Sequence, residues 1–117
     1  MITVKKLLEK LVTALEDLKA VDIKILDVRK LTTITDIMII TSGRSNRQVR
    51  ALADKVLETA KQNKYELIGI EGQQEGEWIL IDLGDIVVHI MQPVVRDYYQ
   101  LEKLWSEKNS KTLVSNV

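Results

Sequence analysis

The sequence predicts an α+β domain in which three helices pack on a five-stranded mixed sheet. Three observations carry this expectation. Apolar residues recur at helical spacing near the start, in the middle and at the end of the chain. Between those segments lie β-branched, apolar runs bounded by Thr, Gly, Asn and Asp. Two of these runs are separated only by a Gly-Asp step, which suits a tight hairpin.

The elements follow in the order αββαβββα. Val4, Leu7, Leu8, Leu11, Val12, Leu15 and Leu18 form one stripe of an amphipathic helix. "DIKILDV" (Asp22–Val28) and "TDIMIITSG" (Thr35–Gly43) read as strands joined by a Thr-rich turn. In "RSNRQVRALADKVLETAKQN" the residues Val49, Leu52, Ala53, Val56, Leu57 and Ala60 again keep helical spacing. "ELIGIEG" (Glu66–Gly72) reads as a strand and "QQEGE" as a loop. Two further strands fill "GEWILIDLGDIVVHIM" (Gly76–Met91), and a last helix after Pro93 carries Tyr98, Leu101, Leu104 and Trp105. One domain is expected over residues 1–106, with a flexible tail at 107–117 where periodicity fades.

Placing Gly84 and Asp85 in a two-residue turn sets the hairpin register. Leu83 then faces Ile86, Asp82 faces Val87, Ile81 faces Val88, Leu80 faces His89, Ile79 faces Ile90 and Trp78 faces Met91. Side chains alternate along a strand, so one face is wholly aliphatic: Ile79, Ile81, Leu83, Ile86, Val88 and Ile90. That face is core. The other carries Trp78, Leu80, Asp82, Val87, His89 and Met91, a mixture unlike a core. A helix covering it would make Trp78 a core aromatic; left open, it has the Trp and Met content of a protein–protein contact.

Composition limits the functions further. At 117 residues, 45% hydrophobic and 29% charged, the chain suits one soluble globular domain. It holds no cysteine, no signal-peptide pattern and no apolar run near the ~20 residues that span a bilayer, so a cytoplasmic protein is expected, away from membranes. Net charge is zero, but its distribution is uneven. From Arg44 to Lys64 there are six basic and two acidic residues, and from Tyr65 to Asp85 six acidic and no basic ones. Such a chain can present an acidic face to a basic partner.

Little in the sequence supports chemistry. His89 is the only histidine, so no His or Cys partner completes a metal site. Asp82 lies diagonally across from it, and a His–Asp base is weighed against a histidine merely held in place. The junction "TSGRSNRQV" resembles a phosphate-binding helix start, yet Ser45-x-x-Gln48 is a capping box that already occupies those amides. Arg44, Arg47 and Arg50 sit where the helix dipole disfavours cations. They pair either with the protein's own carboxylates or with an external anion such as RNA phosphate. A nucleotidyltransferase needs metal-holding carboxylates on the strand after such a helix start, and Leu67–Ile70 has none.

Taken together, "DIKILDV", "TDIMIITSGRSNRQVRALAD", "EG…EWILIDLGDIVVHIMQP" and "RDYYQLEKLW" resemble the ribosomal silencing factor, or Iojap, family over about residues 3 to 106. The resemblance implies a nucleotidyltransferase-like fold without its catalytic carboxylates, and hence no catalytic residue, metal or cofactor. It further implies repression of translation, by binding a large-subunit ribosomal protein at the subunit interface and blocking the small subunit from joining. It also implies homodimers. The family's contact surface includes the tryptophan that opens its W-hydrophobic-D-L-G-D strand, here Trp78. The register above extends that surface to Met91, Asp82, Asp85 and Glu71. Two alternatives stay in view: an RNA-binding module acting through Arg44, Arg47 and Arg50, and a residual nucleotidyltransferase-like enzyme. Zero net charge and 4% aromatic content weigh against the first, and the missing carboxylates against the second.

Overall fold

Thr3 starts the first helix, α1 (Val4–Asp17), by accepting the Lys6 backbone N–H on its hydroxyl at 3.1 Å. The structure, a computed structural model, describes residues 2–105. The tail expected at 107–117 lies outside the described residues. After α1 come β1 (Val21–Asp27), β2 (Ile37–Ser42), α2 (Asn46–Gln62), β3 (Gly69–Glu71), β4 (Trp78–Asp82) and β5 (Ile86–Met91). Two short helices close the described chain, α3 (Pro93–Tyr99) and α4 (Leu101–Leu104).

The five strands form one mixed sheet in the order β1-β2-β5-β4-β3. Only β2 and β5 run parallel; the other neighbours are antiparallel. The central pair has the most continuous Ile/Val character, and every residue of β5 is buried. That is the pattern of strands covered on both faces.

The hairpin register is the one expected from the Gly84–Asp85 turn, from Trp78 opposite Met91 through Asp82 opposite Val87. Gly84 has φ +85, a conformation that side chains disfavour. Its N–H donates to Asp82 Oδ1 at 2.8 Å, and the Leu83 N–H donates to the Ile86 carbonyl at 2.9 Å. All six residues of the aliphatic face enter the main core, beneath Leu7, Leu11 and Leu15 of α1 and Val49, Leu52 and Val56 of α2.

The opposite face departs from expectation. Its β2–β5 half is a second, smaller core of Val28, Met38, Ile40 and Met91, against which Val95, Leu101, Trp105 and Trp78 pack. The last helical segment covers this half because it is broken. Gln100 adopts a left-handed conformation (φ 48, ψ 48) that ends α3 and redirects the chain into α4. The single stripe expected through Tyr98, Leu101, Leu104 and Trp105 is therefore divided: Leu101 and Trp105 pack inward, while Tyr98 and Leu104 are exposed. The β4–β3 half, with Leu80, Asp82, Gly69 and Glu71, has no such cover among the described residues.

Candidate functional site

β4 presents Trp78, Leu80 and Asp82 on the open side of the sheet, and the β3–β4 pairing sets Glu71 beside Leu80, diagonal to Trp78. Gly72 makes this closeness tolerable. It has φ +85, and a side chain there would bring Cβ to 2.0 Å from the Trp78 carbonyl oxygen.

Trp78 is half-buried. Its indole N–H donates to His89 Nδ1 at 3.0 Å, with ring centroids 5.8 Å apart. On its other side stands Tyr99, at 5.0 Å and tilted by 49°, and Tyr98 meets Tyr99 edge-on at 5.0 Å. Tyr99 is 51% exposed, Tyr98 81% and Val94 80%. An aromatic chain thus runs from a buried histidine, through a half-buried tryptophan, to solvent-facing tyrosines. Offset and edge-on rings attract one another, so the cluster holds its own shape.

His89 serves this cluster as an anchor. Burial pushes its pKa down to about 4, leaving the ring neutral at pH 7. Accepting the indole proton on Nδ1 places its own proton on Nε2. The Asp82–His89 pair considered from the register is not formed. Asp82 Oδ1 instead accepts the Gly84 amide and so shapes the turn.

The other sequence-named residues fall in different places. Met91, assigned with Trp78 to the contact surface, is fully buried in the second core and supports Trp78 from across the strand pair. Its burial follows from α3 lying over the β2–β5 half. Asp85 lies beyond the hairpin's far end, roughly 13 Å or more from Trp78 at ~3.3 Å per strand residue. Its carboxylate accepts the Tyr65 hydroxyl, and partial burial together with that neighbour pushes the Tyr65 pKa up to about 12. Glu71 is exposed and Asp82 half-buried.

The α2 start carries its capping box in a modified form. Ser45 Oγ accepts the Gln48 N–H at 3.1 Å, but Gln48 Oε1 reaches back to the Arg44 N–H at 2.7 Å rather than to that of Ser45. Gln48 Nε2 also donates to the Leu18 and Lys19 carbonyls, tying α2 to the end of α1. Arg50 follows neither course weighed for the arginines. Its guanidinium donates to the Gln73 carbonyl at 3.2 Å and to that of Gln74, pinning the loop before Trp78. Arg44 and Arg47 are exposed, and their side chains make no hydrogen bond or ion pair among the described residues. Among those residues no group of three or more His, Asp or Glu could hold a metal ion. No helix there is long and apolar enough to cross a membrane.

Tyr98 and Tyr99 were missing from the sequence-named surface. The signal was present, two adjacent tyrosines on a short helix after Pro93, but only the seating of that helix on the sheet sets Tyr99 against Trp78 and Tyr98 against Tyr99.

The family described as "Ribosomal silencing factor during starvation" matches residues 2–116. The chain is 51% identical over 94 residues to the ribosomal silencing factor RsfS of Chromobacterium violaceum, covering 80% of this chain and 77% of that protein. It is 48% identical over 100 residues to the RsfS of Haemophilus influenzae, covering 86% of this chain and 98% of that protein. A crystal structure of a Chromobacterium violaceum protein superposes with a TM-score of 0.87 at 46% identity, covering 89% of this chain and 87% of that one.

Proposed function

The chain belongs to the ribosomal silencing factor family, and we propose that it represses translation by binding a large-subunit ribosomal protein at the subunit interface and blocking the small subunit from joining. The observation that carries this reading is the half-buried Trp78 flanked by exposed Tyr98 and Tyr99. Large, rigid aromatics of this kind supply most of the energy in protein contacts, at low conformational cost. Glu71 and Asp82 on the same side favour a basic partner. On a ribosome a basic protein is a better target than RNA phosphate for such a face.

Steric exclusion needs no catalysis. With principal extents of 37 × 36 × 21 Å, the domain is thick enough along every axis to hold two closely apposed surfaces apart. His89 is engaged by Trp78, and Asp82 by its own turn, so neither is poised to act on a substrate. The protein works as a binder with no cofactor, in the cytoplasm, where subunits join. Arg44 and Arg47, without a side-chain partner among the described residues, provide a minor contact to ribosomal RNA at most, because Arg50 is withdrawn. A homodimer is a further assembly that the family resemblance implies.

A purified subunit-joining assay tests the mechanism. Full inhibition is expected at about one equivalent per large subunit once both exceed the dissociation constant. Addition to preformed couples should do much less, since the site would already be covered. Potent inhibition at a small fraction of an equivalent would point to turnover and sink the steric reading.

A further inference from the structure

We propose that Arg96 is a positioning residue for docking: it fixes α3 across the sheet so that Tyr99 stands against Trp78 before any partner arrives. The proposal rests on the docking reading above and adds to it the device that pre-forms the contact surface.

A helix of seven residues is marginal by itself, and the N-cap of α3, Gln92, makes no side-chain capping bond. Its buried residue is not apolar but Arg96, 7% exposed. The guanidinium joins four segments. Nη1 donates to the Val21 carbonyl at 3.2 Å and to Ser42 Oγ at 3.1 Å, Nε donates to Glu102 Oε1 at 3.0 Å, and Nη2 stands 3.5 Å from Asp22 Oδ2. Two irregularities bring these partners in. β1 slips register between Val21 and Lys24, where Asp22 takes φ 48, and this turns Val21 and Asp22 toward the helix. The left-handed Gln100 folds α4 back so that Glu102 closes on the arginine.

The sheet register shows what the clamp achieves. Ser42, Met91 and Trp78 lie in one row across β2, β5 and β4. Arg96 binds at Ser42, and Tyr99, one helical turn later, meets Trp78 two strand spacings away, roughly 10 Å along the row. Met91 is sealed beneath. With the middle of α3 held by the guanidinium, the lie of its last turn is set, and Tyr99 stands against Trp78 without reorganising on binding.

The test is a double-mutant cycle with purified large subunits and the full chain. Arg96→Met should weaken binding at least about fivefold, whereas the same change in a Tyr99→Ala background should alter affinity by less than about twofold. Equal losses in both backgrounds would overturn the proposal, since Arg96 would then act without Tyr99. A second readout needs no ribosome: the nuclear Overhauser contact between the Tyr99 ring and the Trp78 indole in the free protein. It should be present in the parent chain and lost in Arg96→Met; its persistence would also overturn the proposal. If the parent chain failed to bind large subunits, the docking reading would fall while this second measurement still decided the role of Arg96. Should Arg96→Met not fold, Glu102→Ala removes one arm of the clamp and should weaken the same ring contact; an unchanged contact there counts against the proposal.

Discussion

The indole N–H of Trp78 donates to Nδ1 of His89, 3.0 Å away across the β4–β5 pair. The bond requires an unprotonated Nδ1, so the charge state of a nearly buried histidine is linked to the seating of the residue expected to anchor a partner. Protonation removes the acceptor and leaves a cation against the second core.

Stability should therefore fall on mild acidification. His89 has a folded pKa of about 4, against 6.5 unexposed to the fold, so the unfolded chain binds the extra proton first. Its contribution is fully present above pH ~6.5 and is lost as pH falls toward ~4, by about 3 kcal/mol at most. Urea denaturation at pH 7.5 and 4.5 measures it. Carboxylates also titrate at the acid end, so His89→Gln serves as the control and should flatten the profile between those values. Identical profiles in both proteins would remove His89 from the account.

Truncating Trp78 should affect both binding and folding. The side chain is half-buried against the second core, opposite Met91, so Trp78→Ala should cost about 2 kcal/mol of stability, below the range for fully buried aromatics. Loss of the anchor should also cut affinity for large subunits more than ~tenfold. Tyr98→Ala separates the two effects. That side chain is 81% exposed, so its loss should shift stability by less than ~0.5 kcal/mol while still weakening binding. Unchanged affinity in Tyr98→Ala would confine the contact to Trp78 and Tyr99.

Two glycines in neighbouring positions should respond oppositely. Gly72→Ala places Cβ against the Trp78 carbonyl at a positive φ, and should destabilise by ~1–3 kcal/mol. Gly69→Ala meets nothing within 4 Å and should be close to neutral. Thermal melts of the pair check this. Equal melting temperatures would mean that the chain around Trp78 relaxes freely.

What could be read in advance divides by range. The Gly84 turn, the Trp78–Met91 register and the aliphatic face were legible because a hairpin is local and strand alternation is strict. The α2 cap was legible for the same reason, even though Gln48 chose the Arg44 amide. The covering of Met91 was not, because it depends on where α3 lies, and α3 is held by Arg96 through partners far away in the sequence, at Val21 and Ser42. The place of Arg50 was not legible either, because its acceptors are the backbone carbonyls of Gln73 and Gln74, which every residue type carries and no sequence pattern marks. The tyrosines join the site only through the seating of α3 across the sheet, a long-range contact that sets Tyr99 against Trp78.

The acidic residues near Trp78 should steer encounter more than they hold the complex. Glu71 is the cleanest probe, being exposed beside Leu80 and diagonal to Trp78, on a short edge strand. Asp82 is unsuitable, because Asp82→Lys would also remove the Gly84 turn bond. Asp85 is unsuitable as well, since its carboxylate holds Tyr65. A charge at the rim of a contact acts through long-range attraction, whose reach is ~10 Å at 0.1 M salt and ~3 Å at 1 M. Glu71→Lys should therefore slow association with large subunits several-fold at low ionic strength while changing dissociation less. The difference from the parent chain should shrink as salt rises, with stability altered by under ~0.5 kcal/mol. Stopped-flow association at several salt concentrations reads this directly. Faster binding by Glu71→Lys would mean that the face approaches phosphate rather than a basic protein, and the partner would have to be sought in ribosomal RNA.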